Sequence, residues 1–210
     1  MKKKYKGTLI VTIVVILLPI LVGLICWNQL PDKMATHFGS NNEPNGWSSK
    51  EFTVFGLPCM MALLQIFCFF VTINDPKKRN ISEKFFTVIL WVVPVASLIM
   101  SLATYGYALG VSIDIGMIVN IMAGVLFIVL GNYLHKVKQN YTVGIKIPWT
   151  LNSEENWNRT HRLASWIFIV CGIGFILNSV IRMDGIFWII MIACLMIPWI
   201  YSFVLYKKGI

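Results

Sequence analysis

Six unbroken apolar runs set the pattern of this chain, over residues 8–27, 53–73, 85–105, 114–134, 163–181 and 186–206. Each holds roughly the 20 residues that an α-helix needs to cross a hydrocarbon core about 30 Å thick. None alternates apolar and polar positions over about ten residues, as a barrel strand does, so each run must close its backbone hydrogen bonds within itself. The pattern predicts an all-α integral membrane protein, a six-transmembrane-helix bundle. The first run exceeds an ordinary signal-peptide core and has no small-x-small cleavage site after it. With five more spans behind it, it reads as a retained span. Pro19, Pro58, Pro94 and Pro198 fall inside runs and predict kinks. Gln65, Asn120 and Asn178 are polar at depth, placed either to hydrogen-bond a neighbouring helix or to line a cavity.

Composition agrees with this reading: 57% of the 210 residues are hydrophobic and 13% charged, a balance no ordinary soluble domain carries. Charge adds the orientation. The N-terminus (Lys2, Lys3, Lys4, Lys6), the second-to-third connection (Lys77, Lys78, Arg79, Lys84), the fourth-to-fifth (Lys136, Lys138, Lys146, Arg159, Arg162) and the C-terminus (Lys207, Lys208) hold nearly all the cations. The other connections have only Lys33, Lys50 and Arg182, against Asp32, Glu43, Glu51, Asp114 and Asp184. The positive-inside rule therefore predicts that the N-terminus and the C-terminus are both cytoplasmic. Topology and anionic headgroups account for the net charge of +9, and there is no folded basic domain to bind nucleic acid directly.

Candidate chemistry is sparse. The five cysteines lie in or at the ends of the apolar runs with no Cys-x-x-Cys pair, and read as packing residues. His37, His135 and His161 fall on opposite sides of the predicted bilayer, so they assemble no catalytic constellation, and Glu154 and Glu155 read as capping and surface charge. His37 has no second ligand nearby and reads as a surface residue. No catalytic, cofactor or metal site is assigned, and the chain is not expected to be an enzyme. A transporter or lipid-handling protein is the rival class, but its usual cue, an ionisable group deep in a span, is missing from the runs.

Two polar segments remain. They divide the expected organisation into an N-terminal helical hairpin, 1–73, with a structured outer loop over 28–52, and a four-helix region, 74–210, with a cytoplasmic loop over 135–162. In the outer loop, Glu43-Pro44-Asn45-Gly46 predicts a turn with positive φ at Gly46, while Phe38 and Trp47 are placed as interfacial aromatics. In the cytoplasmic loop, Asn140 and Gly144 supply turn chemistry, Ile147-Pro148-Trp149 reads as an extended turn, and Asn152 with Glu155 predicts a capped helix. Trp157, His161 and Ala164 then follow at helical spacing into the fifth span. Trp149 and Trp157 are expected at headgroup level, with Lys146, Arg159 and Arg162 at phosphates.

The order of these residues carries more than an interfacial anchor needs. Gly131-Asn132, then Asn140, then Gly144-Ile145-Lys146-Ile147-Pro148-Trp149-Thr150-Leu151, then Trp157 and Thr160-His161-Arg162 resemble the signature of the SdpI family of bacterial immunity proteins. The outer stretch His37-Phe38-Gly39, Glu43-Pro44-Asn45-Gly46-Trp47 and Lys50 resembles the small uncharacterised domain often joined to that family. One departure is Lys146-Ile147 where the family pattern has Arg-Thr, and lysine lacks the planar fork of arginine. The resemblance implies a multi-pass protein of the bacterial cell membrane that protects the cell from a secreted, membrane-active killing peptide. It implies toxin contacts in the outer loop at His37, Phe38, Gly39, Pro44, Gly46, Trp47 and Lys50. It also implies, for some members, signalling by holding a winged-helix transcriptional repressor at the cytoplasmic face of the lipid bilayer.

Overall fold

The computed structural model describes residues 2–39 and 41–210. The side chains of Lys2, Lys3, Lys4 and Asp184, counted above for charge, lie outside that description. The elements run α1 (Lys2–Ile25), β1 (Lys33–Phe38), β2 (Pro44–Ser49), α2 (Leu57–Ile73), α3 (Glu83–Ala108), α4 (Ile115–Leu134), α5 (Pro148–Asn152), α6 (Glu154–Ile181) and α7 (Asp184–Lys207). Among the described residues, six helices are long and apolar enough to cross a membrane, one for each apolar run. The chain is an all-α, six-span membrane protein, with one small two-stranded sheet among the described residues. It divides into two compact units: Met1–Ile73 with Phe86–Gly116, and Asn74–Phe85 with Met117–Ile210.

In the first unit, helix packing is organised around a proline. Pro94 inside α3 has no N–H to offer the carbonyl one turn earlier, that of Leu90. Gln65 of α2 fills the gap: its Nε2 donates to the Leu90 carbonyl at 2.8 Å and to Thr12 Oγ1 of α1 at 3.1 Å. A buried polar residue thus ties three helices at the point where one ladder is broken. A π-helical turn, Phe52–Gly56, leads into α2 ahead of Pro58. It sets Val54 beside Leu30, Met34 and Tyr105 in an apolar cluster under the sheet.

The loop over 28–52, expected on the outer side, is a β-hairpin, which the turn residues alone did not predict. Pro44-Asn45-Gly46 lies inside β2 rather than in the turn. Gly46 has no positive φ; it is small because a Cβ there would stand 2.9 Å from His37 Cβ, where the register of the two strands shifts. The reversal comes earlier. Gly39 N–H donates to the Glu43 carbonyl at 2.8 Å, and Asn42 takes the left-handed conformation at φ 62°, which asparagine tolerates better than most residues.

In the second unit, α4 and α6 approach to backbone contact. A Cβ on Gly124 would lie 2.6 Å from the Gly172 carbonyl oxygen, and one on Gly172 would lie 2.7 Å from that of Gly124, the small-residue contact that membrane helices use. Ser165 Oγ donates to the Gly131 carbonyl at 2.5 Å, and Asn178 Nδ2 to Asn120 Oδ1 at 3.2 Å. The deep asparagines are therefore interhelical ties. Arg182, left-handed at φ 57°, ends α6 and starts the tight connection to α7.

Candidate functional sites

The hairpin of the first unit has two unlike faces. On one face Met34 is buried, and Phe38 meets Tyr107 edge to face at 4.9 Å between ring centroids; Ala35, also buried, lies on the other face, opposite Trp47. Lys33, His37, Asn45, Trp47 and Ser49 are exposed. His37 Nδ1 pairs with Asn45 Oδ1 across the strands, and the Trp47 ring stands out at 57% exposure.

Lys50 is buried. Its Nζ donates to the Leu30 carbonyl at 3.1 Å and the Trp27 carbonyl at 3.5 Å, lies 3.2 Å from Asp32 Oδ1, and sits 5.0 Å from the Trp27 ring centroid. Those carbonyls lie just past α1, where the helix leaves acceptors and partial negative charge, so the ammonium acts as the clasp that fixes the hairpin's base. Asn42 fixes its tip. Asn42 Oδ1 accepts from Ile115 N–H at 2.8 Å and Gly116 N–H at 3.3 Å, capping the start of α4.

In the second unit the loop before α6 is a built element rather than a tether. Asn140, fully buried, accepts on Oδ1 from Val143 N–H at 2.7 Å and Thr142 N–H at 3.0 Å, which curls the chain toward Gly144. Gly144 has φ 116°, and any Cβ there would overlap His161 Nε2 and lie 3.1 Å from the Trp157 ring. Ile145 N–H donates to His161 Nε2 at 2.9 Å, and His161 Nδ1 lies 2.8 Å from the Trp157 carbonyl. The imidazole must therefore be neutral, with its proton on Nδ1. It stacks on Trp157 at 3.9 Å between centroids, and Trp157 Nε1 donates to the Val137 carbonyl at 2.7 Å.

Three sequence expectations change here. Trp157 is wholly buried instead of lying at headgroup level, because its indole N–H is committed to Val137. Only Ile147 of the Ile147-Pro148-Trp149 stretch is extended; Pro148 is the first residue of α5, a position that needs no N–H. The cap of α6 is Ser153, whose Oγ accepts from Asn156 N–H at 3.2 Å, and not Asn152 with Glu155. Glu155 instead pairs with Arg159 at 2.5 Å.

Thr150 ties α5 back to the loop, its Oγ accepting from Ile147 N–H at 3.1 Å and donating to the Ile145 carbonyl at 2.7 Å. Thr160 Oγ donates to Asn156 Oδ1 at 3.1 Å. Trp149 is half-buried against Phe203 and Trp199 of α7, at 5.0 and 5.3 Å. Lys146, Pro148 and Arg162 are exposed, as is Asn132, which caps back onto the Ile128 carbonyl.

Several organising residues were not picked out from the sequence. Asp75, only 3% exposed, accepts from Lys77 N–H at 2.7 Å, Tyr141 N–H at 2.9 Å and Thr142 Oγ at 2.7 Å. A buried carboxylate with three donors is a strong tie. Gln139 receives Lys77 Nζ at 2.5 Å and donates to the Thr150 and Leu151 carbonyls at 2.9 Å each. Asn156 donates to the Ser202 carbonyl at 3.0 Å and accepts from Ser202 Oγ at 2.6 Å. Asp75 reads in the sequence as a turn residue ahead of three cations, and nothing local pairs it with Thr142.

Residues 136–206 match the SdpI/YfhL protein family, and residues 14–62 match a domain of unknown function, DUF1648. The chain is 26% identical over 208 residues to the Immunity protein SdpI of Bacillus subtilis (strain 168), an alignment covering 95% of this chain and 96% of that protein. No solved structure matches significantly. The built loop and the hairpin fall in the two matched regions, so the chain is a multi-pass cell-membrane protein with a region similar to the SdpI/YfhL family and, ahead of it, one similar to DUF1648.

Proposed function

We propose that this chain is a membrane immunity protein that protects a bacterium from a secreted, membrane-active killing peptide. The observation that carries the reading is the likeness, along nearly its whole length, to a protein named for immunity. The hairpin, 28–52, faces outward and meets the peptide through Trp47 and His37, while Phe38, Gly39, Pro44, Gly46 and Lys50 hold its shape. The basic connections and both termini face the cytoplasm, and the loop over 135–162, with Lys146, Trp149 and Arg162 outermost, carries the intracellular half. There it holds a winged-helix repressor at the membrane when the peptide is engaged. Residues 1–73 act as the sensing part and 74–210 as the responding part.

Two measurements test this. A cysteine introduced at Asn45 is labelled by an impermeant reagent in intact cells, and one at Arg79 only after the membrane is opened; the reverse pattern refutes the orientation. Expression in a peptide-sensitive bacterium raises survival, and equal killing at confirmed membrane levels refutes protection.

A further inference from the structure

Antiparallel pairing leaves every second residue of each strand with its backbone N–H and C=O pointing away from the partner. The register Lys33↔Ser49, Met34↔Ser48, Ala35↔Trp47, with Lys50 N–H donating to the Asp32 carbonyl at 2.9 Å, decides which residues these are. Met34 and Ser48 exchange the ladder bonds; Lys33 and Ala35 on β1, and Trp47 and Ser49 on β2, point outward.

The two edges differ. Ala35 is 6% exposed, so the β1 edge is covered there. On β2 both Trp47 and Ser49 are exposed, as are Asn45 before them and Glu51 after. The Ser49 carbonyl is taken by Thr53 Oγ at 2.9 Å, which leaves Trp47 N–H, Trp47 C=O and Ser49 N–H as the hydrogen-bonding row left open among the described residues. Charge then selects among extended chains. Asp32, Glu43 and Glu51 are exposed around the hairpin, whereas of its two lysines Lys50 is buried in the clasp and only Lys33 is exposed.

We infer that the β2 edge accepts an extended cationic peptide as a third strand, held by the backbone of Trp47 and Ser49, covered by the Trp47 ring and flanked by the carboxylates. Short exposed edges are docking templates of this kind. The inference rests on the reading of the hairpin as the peptide-facing element and adds how the peptide is held.

The test uses the full chain in nanodiscs of zwitterionic lipid, which do not attract cations. Three probes are compared: a short capped peptide of alternating valine and lysine, the same peptide N-methylated at every residue, and its valine-glutamate counterpart. The readout is amide hydrogen exchange at Trp47, Ser49 and Ala35. The valine-lysine peptide slows exchange of Trp47 and Ser49 by at least about tenfold, a protection of roughly 1.4 kcal/mol, and leaves Ala35 unchanged. The N-methylated and glutamate peptides produce no slowing, and Glu51→Lys weakens the effect of the lysine peptide.

Equal slowing by the N-methylated peptide overturns the inference, because adsorption by side chains or onto lipid would explain it. So does a Trp47 amide already protected without peptide, which would mean that headgroups cover the edge. Cell protection without slowing at Trp47 and Ser49 overturns strand addition and leaves immunity standing. Slowing without cell protection does the opposite.

Discussion

Gly144 bears two constraints at once, a positive φ and a space closed by His161 and Trp157. Gly144→Ala is expected to destabilise the protein by about 2 kcal/mol, from backbone strain and the displaced imidazole together. Gly7, exposed in α1 with nothing within 4 Å, is the control. Gly7→Ala is expected to be neutral or stabilising by up to about 1 kcal/mol, since alanine is the better helix former. Thermal unfolding in detergent measures both, and equal midpoints for the two variants would contradict the packing described. At His161 the donor from Ile145 fixes the tautomer. Nitrogen NMR is expected to find the proton on Nδ1 and a bare Nε2, and an Nε2–H form would mean that the loop does not close on it. The sequence singled out His161 only by its helical spacing from Trp157 and its place in the Thr160-His161-Arg162 triplet. Trp157 was misread because an indole beside cations looks interfacial until its N–H is seen to be committed inside the fold.

Among the elements, the apolar runs fixed where the six helices lie, since about 20 apolar residues admit little else. Their polar ends were harder to read. The start of α6 depends on which of two adjacent side chains turns back to cap it, and Ser153 rather than Asn152 does. The hairpin was hidden because β2, Pro44–Ser49, is written in turn residues; its strand conformation comes from the clasp at Lys50 and the tie at Asn42, both long-range. The Gln65–Pro94 joint was half legible, as a polar residue at depth and a proline with no stated connection. It makes a sharp prediction. Gln65→Leu alone is expected to cost about 1–2 kcal/mol by leaving the Leu90 carbonyl unpaired. In a Pro94→Ala background, where residue 94 offers its own N–H to that carbonyl, most of the cost should vanish. Additive effects in this double-mutant cycle, read from unfolding in mixed detergent, would show that the two residues are not coupled.

For the molecule as a whole, the run lengths made the membrane class readable, and the residue order of two loops made the resemblance to the SdpI family readable. What stayed unreadable was long-range: Asp75 reaching Tyr141 and Thr142, Asn156 reaching Ser202, Asn42 reaching Ile115. None of these pairings has a local signal. They make the loop over 135–162 and the hairpin shaped objects rather than a set of lipid anchors. The most direct test is a killing curve. Peptide-sensitive cells expressing the chain, the Gly144→Ala variant or an empty vector, matched for protein in the membrane, are titrated with the killing peptide. The account predicts that the chain raises the lethal concentration by at least about tenfold, a difference of roughly 1.4 kcal/mol in effective engagement, and that Gly144→Ala loses most of that gain. Coincident curves for the chain and the empty vector would contradict it.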